Sequence, residues 1–189
     1  MNTKQLAGTA MLSAIAAIME ILPVDLRFPL LPFRISFDPV GIPIAVAAIL
    51  YGPTGGLVST GIAGVALIAH GNPIGAVFKV PAELSTVLPL AMTLYALRRG
   101  FSKGPRFRWF IVGLSWTIAI VMRITVMTPV NYYFLQLLYS VPGSFALSTL
   151  PFLAVFNLIQ GIINVVPAYL IVDRLPPDLK PGWLIHAGS

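Results

Sequence analysis

An all-α membrane protein of six helices is the fold this sequence predicts, on three observations. Of its 189 residues, 57% are hydrophobic and only 10% charged, with mean hydropathy +0.89. A soluble domain carries roughly 25% charged residues, so this chain cannot cover its surface against water. The apolar residues gather in runs of the length needed to cross about 30 Å of hydrocarbon, which takes about 20 residues per helix. The basic residues, finally, gather between and beyond those runs. The same composition excludes a disordered chain, and no short repeat suggests a fibrous one. There is no cysteine, hence no disulfide framework and no thiolate chemistry.

The first helix is expected from about Gln5 to Leu22, a run whose single early lysine and internal Glu20 set it apart from a cleaved signal peptide. The second runs from Val40 to Leu50 and the third from Gly56 to Ala69, divided at Tyr51-Gly52-Pro53-Thr54-Gly55-Gly56, where proline and paired glycines punctuate an apolar run. A re-entrant pair is the alternative for these two short segments. The fourth covers Gly75 to Leu97, the fifth Trp109 to about Thr128 and the sixth Ala146 to Val172, all within one transmembrane domain spanning 1–189. With the N-terminus inside, Lys4, Arg98, Arg99, Lys103, Arg106, Arg108, Arg174 and Lys180 all fall on the inner side and only Arg27 and Arg34 on the outer. Lys and Arg gather in cytoplasmic loops, so both termini are expected in the cytoplasm. The basic pI of about 10.0 then reflects orientation and contact with anionic lipid rather than nucleic acid.

Between the first two helices, residues 23–39 mix prolines, aromatic rings and balanced charge. The prolines forbid a helix, and the apolar content suits a segment that folds back onto something. Two readings fit: a lid over an outward-facing pocket, or a loop anchored by its phenylalanines in the headgroups. Continuing the fifth helix to Tyr139 would make about 46 Å of helix, so Pro129 is expected to bend it. Past that proline, Asn131, Tyr132, Tyr133, Phe134 and Gln136 interleave amides with rings. An aromatic belt accounts for the rings; a flat ligand with polar substituents accounts for the amides as well. On the sixth helix Asn157, Gln160, Gly161 and Asn164 share one face. Carboxamides facing lipid would cost several kcal/mol each, so this face points inward, either to neighbouring helices or to a polar cavity.

Ionisable groups inside spans are functional candidates. Lys79 and Glu83 stand at i, i+4 and are expected to neutralise each other; Arg123 and Glu20 remain, while His70 reads as a loop residue and His186 as part of a polar tail. Ala10 and Ala14 form a small-xxx-small seam suited to close helix contact. Walker, G-x-S-x-G and H-E-x-x-H motifs are absent from the sequence, and no internal repeat marks a secondary transporter. A small membrane enzyme or proton-coupled transporter built on Glu20, Lys79, Glu83 and Arg123 is the rival reading.

Three stretches together resemble the substrate-binding S components of energy-coupling-factor (ECF) vitamin transporters, the riboflavin-specific branch above all. They are Phe37-Asp38-Pro39 through Leu57, Met122-Arg123 through Tyr139, and Phe156-Asn157 through Asn164. The resemblance implies a multi-pass protein of a prokaryotic cell membrane that is not an enzyme and needs no cofactor or metal. It would capture riboflavin or a related vitamin outside, beneath a lid. It would then dock through Ala10 and Ala14 on a transmembrane coupling (T) subunit carrying two ATPases. By position, Asn131, Asn157 and Asn164 would hydrogen-bond a ring system while Phe33, Phe37 and Tyr132 supply apolar walls. Lys79, Glu83, Gln136 and Gln160 complete the expected substrate-binding set.

Overall fold

The computed structural model describes residues 2–22, 26–30 and 33–185, with the backbone alone at 26–30, 33–35, 101–103, 105 and 185. Helix α1 (Thr3–Ile21) opens on a capping box, in which Asn2 Oδ1 accepts from the Gln5 amide at 2.9 Å and Gln5 Oε1 from the Asn2 amide at 3.0 Å. Two donors that the helix itself leaves unpaired are thereby satisfied. Strands β1 (Leu26–Leu30) and β2 (Phe33–Phe37) follow as an antiparallel hairpin, Leu26 opposite Phe37 and Leu30 opposite Phe33. The prolines that exclude a helix here are tolerated because a two-stranded ribbon consists only of edges.

Helix α2 (Gly41–Ala69) holds both segments expected as the second and third helices, and Gly52 interrupts it with φ 79° and ψ −170°. Glycine adopts that conformation without a Cβ clash. A Cβ built on Gly56 would lie 2.9 Å from Ala48 Cβ, whereas eight residues of straight helix separate two atoms by about 12 Å. Residues 41–51 and 53–69 therefore fold back on each other as a helical hairpin. Helix α3 (Pro73–Leu97) starts with Pro73 in its first turn, and the Asn72 side chain accepts from the Gly75 amide at 2.8 Å.

A 3-10 turn (Arg98–Lys103) leads to α4 (Pro105–Tyr139), which does not end near Thr128 but continues through Pro129 to Tyr139. Pro129 cannot donate to the preceding turn. The adjoining turn is reinforced where Thr128 Oγ1 donates to the Ile124 carbonyl at 2.8 Å. Ser140, at φ 53°, closes α4 in the left-handed conformation. Helix α5 (Gly143–Arg174), a 3-10 turn (Pro177–Leu179) and the short α6 (Gly182–Ile185) follow.

Four of these helices, Gly41–Ala69, Pro73–Gly100, Arg106–Tyr139 and Gly143–Arg174, are long and apolar enough to cross a membrane. The first turns of α1 and the short α6 lie at the same end of the bundle. There Gly8 abuts Tyr51, Tyr95 Oη donates to the Leu50 carbonyl at 3.1 Å, and the Tyr95 ring stands 5.9 Å from that of Trp183. The main core occupies this end and the middle of the bundle, built on Ile44, Ile49, Leu90, Leu94, Ile111, Val112 and Tyr169. A smaller cluster of Leu135, Ala146 and Leu153 holds the opposite end.

Candidate functional site

At that opposite end, beside the β-hairpin, lies a cavity of about 820 Å³, within the size range of small-molecule sites. Three of the four long helices each contribute one stripe to its wall. Helix α3 supplies Gly75, Phe78, Lys79, Ala82 and Glu83, α4 supplies Arg123, Met127, Asn131, Leu135 and Tyr139, and α5 supplies Leu153, Phe156, Asn157 and Gln160. These spacings of three and four are one helical face in each case. The end of α1 and the turn at His70 and Asn72 close the sides, and Ser36 and Asp38 carry the base of the hairpin into the wall.

Two polar groupings organise this cavity. In the first, Lys79 Nζ lies 2.6 Å from Glu20 Oε1 and 2.9 Å from Asp38 Oδ1. Gln160 grips the same Asp38 by its backbone, Nε2 donating to the carbonyl at 2.6 Å and Oε1 accepting from the amide at 3.3 Å. The hairpin's root is thus held by α3 on one side and α5 on the other. In the second, Arg123 Nη1 donates to Glu83 Oε1 at 3.2 Å, to Thr86 Oγ1 at 3.1 Å and to the Ala82 carbonyl at 3.3 Å, while Nε donates to Asn157 Oδ1 at 3.1 Å. Asn164 Nδ2 donates to both Glu83 oxygens, at 3.0 and 3.2 Å, and its Oδ1 accepts from Gln160 Nε2 at 3.0 Å. Glu83 and Arg123 are 2% and 4% exposed, a depth at which a charge persists only when paired and hydrogen-bonded.

The expected pairing of Lys79 with Glu83 is therefore corrected. Both side chains leave the same face of α3, but that face meets α1, the hairpin root, α4 and α5, and each finds its partners on other elements rather than along its own helix. Of the ten expected substrate residues, Lys79, Glu83, Asn131, Asn157 and Gln160 line the cavity. Asn164 sits directly behind them, and Phe37 packs its ring 4.8 Å from that of the lining Phe156. Tyr132 and Gln136 stand one position round α4 from the lining stripe. Tyr132 joins the small cluster and faces Tyr133 at 5.2 Å, and Gln136 Nε2 returns to the Tyr132 carbonyl at 2.8 Å. The side chains of Phe33, Arg27 and Arg34, and all of His186, lie outside the described residues.

Asp38, Phe78, Phe156 and His70 belong to the wall and are not among the site residues expected from sequence; the spacing of four to Gln160 is the signal that points to Phe156, whereas Phe78 stands at neither three nor four from Lys79 or Glu83. Asn131 is 6% exposed, and its side-chain amide makes no hydrogen bond among the described residues. Among those residues no group of three or more His, Asp or Glu side chains is disposed to hold a metal ion. Along α1, Ala10 and Ala14 are exposed, while Thr9, Ser13 and Ala16 face inward.

Comparison with known proteins places this geometry in context. The family model described as "ECF transporter, substrate-specific component" matches residues 4–172. The Riboflavin transporter FmnP of Bacillus subtilis (strain 168) is 27% identical over 192 residues, covering 98% of this chain and 99% of the relative. A solved structure described as the S component of a bacterial ECF transporter superposes with a TM-score of 0.71 at 24% identity, covering 96% of this chain and all of the other. A cavity under a hairpin, walled by membrane helices and free of any recognisable catalytic motif, is what a capture subunit requires, and this chain belongs to the family of ECF transporter substrate-specific components, multi-pass proteins of the bacterial membrane that are not enzymes.

Proposed function

We propose that the chain captures riboflavin, or a flavin closely related to it, in the cavity beneath the β-hairpin and delivers it through a T coupling subunit driven by two ATPases. The observation that carries this reading is the cavity itself. It combines about 820 Å³ of volume with rings and aliphatic side chains at Phe78, Met127, Leu153 and Phe156, and with amides at Asn131 and Asn157. A flat heteroaromatic ring edged with carbonyl and ring-nitrogen groups needs that mixture. The likeness over nearly the full length to a protein named a riboflavin transporter supports the choice of flavin.

In this reading the chain passes through the membrane six times, counting both halves of α2, of which the first reaches only to about mid-depth. The end that gathers Lys4, Arg98, Arg99, Arg106, Arg108 and Arg174 faces the cytoplasm, following the bias of basic residues towards that side. The cavity then opens outward. The exposed Ala10 and Ala14 offer a seam of small side chains on which a partner helix can approach closely.

Titration of the purified protein with riboflavin, followed by quenching of flavin fluorescence, tests the substrate. The expected dissociation constant is nanomolar, about −12 kcal/mol. Fluorescence unchanged up to micromolar protein would remove riboflavin as the ligand. The coupling seam is tested separately by Ala10→Trp and Ala14→Trp. Flavin binding is expected to stay within about 2-fold of the parent, while uptake with the coupling module is lost. Equal loss of binding and uptake would show damage to the fold instead.

A further inference from the structure

Arg123 is more than the partner of a buried acid. Its stem passes Gly161, where a Cβ would meet Arg123 Cδ at 3.6 Å and Ile120 Cγ1 at 3.2 Å. Its Nε and Nη1 are consumed by Asn157, Glu83, Thr86 and the Ala82 carbonyl. Nη2 makes no hydrogen bond among the described residues, although the residue is 4% exposed and lines the cavity. The guanidinium is a rigid planar fork, so fixing two of its nitrogens fixes the third. Nη2 is the arm of the fork left open to the cavity, where a ligand acceptor can meet it without disturbing the other bonds.

We infer that Arg123 Nη2 is the donor that reads a ring carbonyl of the bound flavin at the closed end of the cavity, an inference that rests on the flavin reading above. Glu83 neutralises the guanidinium. Across the cavity three carboxylates, Glu20, Asp38 and Glu83, stand against two cations, Lys79 and Arg123. The acceptor is therefore uncharged rather than a phosphate or carboxylate. Met127 and Leu153, with Phe156, flank the approach to Arg123 with apolar surface suited to the faces of a ring. Asn131 stands two turns further along α4, about 12 Å away, where its unpartnered amide meets the ligand's opposite end. Glu83 and Asn157 act as positioning residues for the arginine fork.

The test uses riboflavin and two analogues, each with one ring carbonyl oxygen exchanged for sulfur, a weak acceptor. Wild-type protein is expected to bind one of these analogues about 10- to 100-fold more weakly than riboflavin. Arg123→Lys, which keeps the charge beside Glu83 but removes the second arm of the fork, is expected to bind riboflavin about 10-fold more weakly and to lose the discrimination between oxygen and sulfur. The thermal midpoint without ligand monitors its fold. Wild-type protein that binds both analogues within 2-fold of riboflavin overturns the inference, whatever the fate of the variant. So does a folded Arg123→Lys protein that retains the full preference for oxygen. Wild-type protein that binds no flavin at all would instead overturn the substrate reading, so the two failures are distinguishable.

Discussion

The two ends of the helix bundle are built on opposite principles. At the end that holds the start of α1 and the short α6, Tyr169 is fully buried, with Trp109 and Trp116 rings about it at 6.0 and 5.9 Å. Its hydroxyl accepts from Arg108 Nε at 3.2 Å, and Arg108 also pairs with Asp173. Polar groups there sit on a packed apolar body. At the cavity end the order is reversed: Arg123–Glu83 and Lys79–Glu20–Asp38, with their amides, join the elements round a space that apolar packing leaves open. Dense packing supplies stability, and a connected polar network supplies a fixed shape to a void that would otherwise collapse.

Breaking each end in turn separates these roles. Tyr169→Ala should cost about 3–5 kcal/mol of stability, as for other large aromatic truncations. Thermal unfolding in detergent measures that loss, while the flavin affinity of the protein that remains folded stays within about 2-fold of the parent. A matching fall in affinity would show that the two ends are not independent. Glu83→Gln should cost less, about 1.5–3 kcal/mol, because a charged acceptor is replaced by a neutral one for both Arg123 and Asn164. Here affinity should fall together with stability, since the fork loses its support; a stability change with unaltered affinity would reduce the network to a structural brace.

The smallest effect is expected at the root of the hairpin. Lys79→Met removes the tie to Glu20 and Asp38 while Gln160 still holds the Asp38 backbone. Stopped-flow kinetics should show the flavin leaving about 10-fold faster with little change in the rate of arrival, the usual pattern when an interaction holds a closed state. An unchanged dissociation rate would mean that Lys79 does not secure the hairpin.

How much of this was legible beforehand follows from the range of each interaction. The inward face of α5 at Asn157, Gln160 and Asn164 could be read from periodicity, since no other orientation satisfies three amides in a membrane. The break at Gly52 was equally plain from Gly-Pro and paired-Gly chemistry. That Asn157 and Asn164 are largely occupied by Arg123 and Glu83 could not be read, because partners 34 and 81 residues apart in sequence leave no local signature. For the same reason the i, i+4 rule misassigned Lys79: it applies to exposed helix surface and gives way where a helix is surrounded. Tyr132 and Gln136 were grouped with Asn131 by adjacency, but on a helix neighbouring residues point about 100° apart. The enzyme alternative built on the same charges is set aside by the family.

The short first half of α2 also sets a distance. Residues 41–51 rise only about 16 Å from the Gly52 turn, at the end that holds the start of α1 and the short α6, to Gly41, which touches Asn164 beneath the cavity. A membrane's hydrocarbon is about 30 Å thick, so in the proposed orientation the floor of the cavity lies near mid-depth. In the proposed reading, a captured molecule would lie about halfway across before the coupling module acts. The remaining half is filled by Leu90, Leu94, Ile111, Val112 and Tyr169, and a route straight through would have to unpack side chains worth about 1.5–3 kcal/mol each. In the proposed reading, moving the whole body relative to the bilayer would leave those contacts intact, and the shallow remaining depth would limit how far it must move.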